Sequence, residues 1–289
     1  MTDSLMVWCD TVVGAAKGKT AGTFDSLGTI TLKKGAKEVL GVIVNVAPSG
    51  VTVGENGAPV IQLDSDDLGI SKQRFTSPVF GDGVGSAVYP TVESWYLPYK
   101  SMGDYSLDNA KIDVSISGNV NTTAGWSAAV GIVYANGEPD DQFSRELMSG
   151  ISPRATGGAY ATKNAGISST SATAFSNTID VTSRATELIG ILSQAIPNAG
   201  TAGEEVVGYT ELQASQINDF SPQKWPFAVA FGPPIGTINY GIPVASYYRG
   251  LYWPTRFPLP KVNFSINVSQ TLAAALTNAA DGLAAVKWR

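Results

Sequence analysis

The chain has 289 residues and a net charge of −5, with 44% hydrophobic and only 15% charged residues. That length suits two ordinary domains, and the acidic balance excludes a protein that coats nucleic acid with a basic face. No histidine occurs and the one cysteine is Cys9, which excludes the Ser-His-Asp triad, the Cys-His pair, His-liganded or thiolate-rich zinc and any intramolecular disulfide.

Residues 1–22 read as an N-terminal arm, part apolar and part Gly/Lys. Leu5-Met6-Val7-Trp8-Cys9 lacks a basic leader and is interrupted by Asp10, so neither a cleaved signal nor a membrane span of about 20 apolar residues is expected. From 23 to 136 the apolar runs are β-branched and separated by turn residues, the composition of an all-β unit. Strands are predicted at Leu27–Lys33, Glu38–Val46, Pro59–Leu63, Arg74–Phe80, Ala87–Tyr99, Lys111–Gly118 and Trp126–Ala135. Ile112, Val114 and Ile116 alternate with Asp113, Ser115 and Ser117, the period of a half-buried strand.

Residues 137–172 read as a connection, with a short helix over Gln142–Met148 and then Gly/Ser-rich sequence. From 173 to 289 strands are predicted at Asn177–Thr182, Glu187–Gln194, Val206–Leu212, Trp225–Phe231, Ile242–Trp253 and Lys261–Ser269. In 271–289, Leu272, Leu276, Ala279, Leu283 and Val286 would stripe a helix. Asp281-Gly282 is a turn pair, however, and strand is the expectation for Leu283–Trp288.

The second stretch echoes the first. Thr29–Leu32, Ala36, Glu38–Ile43 and Pro48 recur as Thr178–Val181, Ala185, Glu187–Leu192 and Pro197, at a constant offset of 149 (178 − 29). Ser71–Phe75 recurs as Ser221–Trp225, and Lys111–Ser117 is matched to Lys261–Asn267, both at 150. A period this long indicates a duplicated domain rather than a solenoid. Gly41 and Gly190 hold the same place inside a strand, which predicts a bulge or a close backbone approach.

Candidate chemical motifs each have a plainer structural reading. Gly14–Thr20 has Val13 where a phosphate loop needs glycine, so a flexible basic segment is expected. Gly81-Asp82-Gly83-Val84-Gly85 lacks the third glycine of a dinucleotide fingerprint and reads as a loop. Asp64, Asp66 and Asp67 could attract calcium, but the EF-hand spacing fails and a solvated turn is expected. Glu138, Asp140 and Asp141 read as an exposed loop. Trp95-Tyr96 with Tyr99, and Tyr247-Tyr248 with Tyr252-Trp253, are aromatic clusters at comparable places; core or interface residues are preferred over a sugar platform. The acceptor sequons at Asn121, Asn263 and Asn267 carry little weight. No catalytic, cofactor-binding or metal-binding residue is assigned.

Two tandem eight-stranded β-barrels without catalytic residues resemble the double jelly-roll major capsid proteins of tailless icosahedral viruses, the adenovirus, tectivirus and corticovirus lineage. The resemblance spans about residues 23–289 and is architectural. It implies two jelly-roll barrels, 23–136 and 173–289, in a protein that is not an enzyme, needs no cofactor and self-assembles as a trimer of pseudo-sixfold outline. The partners it implies are other capsomers, minor capsid proteins and an internal lipid membrane, with no sequence-specific nucleic-acid contact. Assembly in the host cytoplasm and residence in the virion follow. The N-terminal arm with Lys17 and Lys19, and the C-terminal Lys287-Trp288-Arg289, would face that membrane. The rivals are a two-domain carbohydrate-binding β-sandwich protein, a His-free carboxylate glycan lyase or hydrolase, and a minor capsid or spike protein.

Overall fold

A computed structural model describes residues 4–49, 58–76, 80–81, 88–89, 91–100, 107–149, 154–197, 206–220, 222–227, 252–277 and 279–289. It is all-β, with one helix among the described residues.

The strands of the first half are β1 (Val7–Lys17), β2 (Asp25–Thr31), β3 (Glu38–Pro48), β4 (Pro59–Ser65), β5 (Ile70–Thr76), β6 (Phe80–Gly81), β7 (Val88–Tyr89), β8 (Thr91–Lys100), β9 (Lys111–Gly118) and β10 (Trp126–Ala135). They build two antiparallel sheets, β1-β10-β3-β8 and β2-β9-β4-β5, beside a small β6-β7 ribbon. Helix α1 (Asp141–Ser149) follows, then β11 (Gly157–Ile167), β12 (Thr173–Ala174), β13 (Ile179–Val181), β14 (Glu187–Pro197), β15 (Gly208–Gln213), β16 (Gln223–Pro226), β17 (Trp253–Pro258), β18 (Phe264–Leu272) and β19 (Ala280–Trp288). These build β11-β19-β14-β17 and β12-β18-β15-β16, with β13 beside β12 on the same edge of β18. Among the described residues no ladder joins a strand of one half to a strand of the other.

Burial follows the pleat. β4 alternates buried and half-buried residues along its whole length, as a strand with one face on a core should. β10 is buried at every position, because one face covers the first half's own core and the other meets the second half.

The two halves repeat at the level of register. Trp8 pairs with Tyr134 and Gly157 with Trp288; Val42 pairs with Trp95 and Ile191 with Trp253; Leu63 pairs with Gln73 and Leu212 with Gln223. Equivalent residues therefore lie 149 apart in β1–β4 (157 − 8), 150 apart in β5 (223 − 73), 158 apart in β8 (253 − 95) and 154 apart in β10 (288 − 134). Irregularities repeat too. The ladder slips between Val39 and Gly41, and again between Leu188 and Gly190, which are the bulges expected beside those glycines. A second bulge lies at Gly14/Lys17 and at Lys163/Ile167. It carries a left-handed alanine in each case, Ala16 (φ 53°) and Ala165 (φ 44°).

Several expectations are corrected. The free arm expected over 1–22 is largely β1, with Val7, Trp8 and Cys9 fully buried. Its Asp10 interruption is accommodated by a hydrogen bond from Tyr134. The connection expected over 137–172 contains β11, a sheet strand paired with β19. The match of Lys111–Ser117 to Lys261–Asn267 is four residues out of register: Ile30 pairs with Ile112 and Ile179 with Ile266, so the offset is 154 (266 − 112). The strand expected over Leu283–Trp288 is found and begins at Ala280, but Trp288 is buried in its sheet rather than on a free tail.

Candidate functional site

The structured feature of this molecule is the seam where the halves meet. On one side stand β1, β10 and β3; on the other, β15, β16 and the turn after β18. Two unlike faces are therefore apposed. The first-half face is lined with small side chains. Ala47, Ala129 and Val13 form an apolar cluster with Val207 and Ala273 across the seam. Gly131 leaves room for the Pro226 ring: a Cβ there would lie 2.7 Å from Pro226 Cγ and 3.0 Å from Cys9 Sγ.

Hydrogen bonds from side chains to backbone fix the register of the two halves. Trp8 Nε1 donates to Asp219 O at 2.7 Å, Thr11 Oγ1 to Lys224 O at 2.7 Å, Asn45 Nδ2 to Phe227 O at 3.3 Å and Thr255 Oγ1 to Val7 O at 3.1 Å. Lys33 Nζ donates to Phe220 O at 3.4 Å and to Pro222 O. Trp8, Tyr134, Phe257 and Phe220 form a chain of rings, with Trp8 5.5 Å from Tyr134 and 6.4 Å from Phe257, and Phe220 5.1 Å from Phe257 in an edge-to-face pair. Such contacts add to what area burial alone supplies.

A polar cluster closes one end of the seam. Tyr134 Oη donates to Asp10, and Lys33 N donates to Tyr134 Oη at 3.3 Å. Burial pushes the Asp10 carboxyl above the usual carboxylate range, against the opposing pull of Lys33 and of the Tyr134 hydrogen bond. Burial likewise lowers Lys33, which Asp10 partly offsets. It raises the Tyr134 hydroxyl and the Cys9 thiol, with Asp10 adding to both. The thiol is thus a poor nucleophile.

A second tie was not legible in the sequence. Asp140 caps α1 by accepting from Phe143 N at 2.7 Å. The helix then carries Glu146 to Arg256 on β17, an ion pair at 2.8 Å with both side chains under 8% exposed. Arg256 also lies over the Phe143 ring, 4.9 Å from its centroid.

The motifs noted in the sequence are dispersed. Gly14–Thr20 is the bulged end of β1 and the turn after it. Asp67 Oδ2 accepts from Lys111 N at 2.9 Å in the turn between β4 and β5, and Ser65 Oγ accepts from Leu68 N at 3.2 Å; this is turn chemistry. Gly81 lies in β6 and Asp82–Gly85 lie outside the described residues. Asn121 Oδ1 accepts from Ala21 N at 2.8 Å and Asn263 Oδ1 from Ser183 N at 2.7 Å, while Asn267 pairs with Gln213 in β18. Trp253 is buried and donates to Pro226 O at 2.8 Å. Tyr247 and Tyr248 lie outside the described residues. Among the described residues no group of three or more His, Cys, Asp or Glu could hold a metal ion. No helix among them is long and apolar enough to cross a membrane.

No protein-family model matches the chain. No curated protein matches it. Among solved structures, the STIV major capsid protein aligns at 12% identity over 98% of this chain and 95% of that one, TM-score 0.23. PNGase F, a glycosylasparaginase from Flavobacterium meningosepticum, aligns at 11% identity over 97% and 96%, TM-score 0.26. The CBM22-1–CBM22-2 tandem of Paenibacillus barcinonensis Xyn10C aligns at 9% identity over 100% and 94%, TM-score 0.20.

Proposed function

We propose that each half of this chain is a jelly roll and that the whole is the structural subunit of a viral shell, its activity being self-assembly rather than catalysis. The observation that carries the reading is the duplicated strand order: β1-β10-β3-β8 over β2-β9-β4-β5, and β11-β19-β14-β17 over β12-β18-β15-β16. Lettered B to I in chain order, with the β6-β7 ribbon left out and β12 and β13 sharing one place, each half reads B-I-D-G over C-H-E-F. That order supports reading each half as a two-sheet, eight-stranded jelly roll, an arrangement shared by capsid and lectin domains.

The seam favours the shell over the lectin. Two binding modules on one chain need only a linker, whereas here side chains of both halves share one core and the geometry between them is fixed. Rigid twin units are what a facet-tiling block requires: three chains give six similar sides, a trimer of pseudo-sixfold outline. The virion is then its location, with capsomers, minor capsid proteins and an internal membrane as partners. β1 is committed to its sheet, so a membrane contact cannot use Val7–Lys17 as a loose arm.

Multi-angle light scattering of the purified protein tests this. A particle of about 91 kDa, three chains of 30.2 kDa, or a larger closed shell supports it. A monomer that binds glycans on an array overturns it in favour of the carbohydrate-binding reading.

A further inference from the structure

The duplication makes each half a control for the other, and at one layer of the core the two copies differ in kind. Ile61 pairs with Ile116 as Thr210 pairs with Gln270. Val44 pairs with Val130 as Ser193 pairs with Ala284, and Gly14 pairs with Ala128 as Lys163 pairs with Gly282. The first half therefore fills this layer with Val44, Ile61, Ile116 and Ala128. The second fills it with Ser193, Thr210, Gln270 and Gly282. All of them are buried.

The polar layer is bonded from sheet to sheet. Ser193 Oγ on β14 donates to Trp225 O on β16 at 2.8 Å and bonds Thr210 Oγ1 on β15 at 2.8 Å. Gln270 Nε2 reaches from β18 across the core. It donates to Gln194 O at 2.8 Å, to Thr210 Oγ1 at 3.0 Å and to Leu283 O at 3.3 Å. Gln194 and Leu283 are opposed residues of β14 and β19. Glycine at 282 makes room for the amide, since a Cβ there would lie 2.6 Å from Gln270 Oε1. Such a layer is a poor device for stability. Gln270 Oε1 and Gln223 Nε2 are buried without a hydrogen-bond partner, a cost that an apolar layer does not incur.

We propose that Gln270, with Ser193 and Thr210, is a register key that fixes where β18 pairs along β15. It acts inside the second half, whether or not chains assemble.

Two features of β18 call for a key. The first is its pattern. Phe264, Ile266, Val268 and Leu272 are buried on one face, so a shift by two residues would bury the same face again. The second is its weakly held edge. In the first half β2 pairs with β9 from Asp25 to Thr31. In the second half that edge is split between β12, of 2 residues, and β13, of 3 residues. A shift by two residues moves a side chain about 7 Å along its strand. It would carry the Gln270 amide away from Gln194 O, Leu283 O and Thr210 Oγ1 and set it beside Gly208 or Leu212, where it has none of these partners. A single polar residue in an apolar core is a known means of setting register. In the first half the longer β2 ladder holds β9, and Ile116 suffices.

Cysteine pairs on the outer face read the register. Gln213 and Asn267 are opposed and exposed, so Q213C/N267C reports native pairing. Q213C/S265C and Q213C/S269C report slips by two residues in either direction. Native Cys9 is buried in the other half. Each pair is placed in the native core and in the apolar graft S193V/T210I/Q270I, refolded from urea, oxidised and mapped by peptide mass spectrometry. A buried polar group stripped of its partners shifts an equilibrium by about tenfold to a hundredfold. With the native core the slipped disulfides should therefore trail the native one by about tenfold or more. With the graft at least one slipped disulfide should gain by about the same factor, while the urea midpoint stays level or climbs. A graft that folds and closes only Q213C/N267C overturns the key. A graft that no longer folds also overturns it, because the polar layer then serves stability and not register. Slipped pairs that close as readily as the native pair in the native core overturn it as well.

Discussion

Gly131 offers the sharpest probe of the seam. Carbon atoms in contact prefer about 3.5–4.0 Å. A methyl at Gly131 would stand 2.7 and 2.9 Å from Pro226 Cγ and Cδ and 3.0 Å from Cys9 Sγ. The overlap is therefore on the order of 1 Å. None of these neighbours yields readily, since the proline ring is rigid and Cys9 is fixed in a buried strand. Gly131→Ala must push the halves apart or bend β10, at about 1–3 kcal/mol by the usual scale of overpacking. Equilibrium unfolding in urea measures it. Pro226→Ala in the same background should recover a good part, so the two changes couple by about 1 kcal/mol in a double-mutant cycle. A Gly131→Ala protein within about 0.3 kcal/mol of wild type, below the non-additivity seen for residues in contact, would show that the seam is not close-packed there.

Other perturbations follow from the same contacts. Removing one partner of the buried Glu146–Arg256 pair, as Glu146→Gln or Arg256→Met, should cost about 3–5 kcal/mol, while Glu146→Leu with Arg256→Met should recover most of it; denaturant midpoints decide. Asp10 is held above its unfolded value by burial, so the stability it contributes is full at acid pH and lost as pH rises through the raised value. Asp10→Asn keeps an acceptor for Tyr134, and its stability relative to wild type should climb as pH rises from about 4; a flat difference contradicts this. Ala16→Gly and Ala165→Gly relieve left-handed alanines worth about 1–2 kcal/mol each, less about 0.4–1 kcal/mol of added unfolded-chain entropy. Each should raise the melting temperature, and a fall in either would refute the strain.

What the sequence discloses and what it hides divide along physical lines. β4 and β9 were legible because one face is buried and the pleat prints a period of two, and β14 because its apolar run is nearly continuous. Gly41 and Gly190 announced their bulges. The four-residue slip in matching 111–117 to 261–267 has the same origin: an alternating pattern displaced by an even number still places its apolar residues on one face. β1 was hidden because its partner, β10, lies about 120 residues downstream, so nothing local marks it as a strand. β11 was hidden because Gly157–Ile167 is rich in Gly and Ala and poor in β-branched residues, and pairing with β19 overrides that weak propensity. The seam was least legible. Ala47, Ala129 and Gly131 look like ordinary small strand residues, and only a second domain packed on them reveals why they are small.

Image averages of the particle in solution by cryo-electron microscopy would test the central claim most directly. The account predicts three chains in a closed ring of six similar lobes. Isolated two-lobed monomers at assembly concentrations would contradict it.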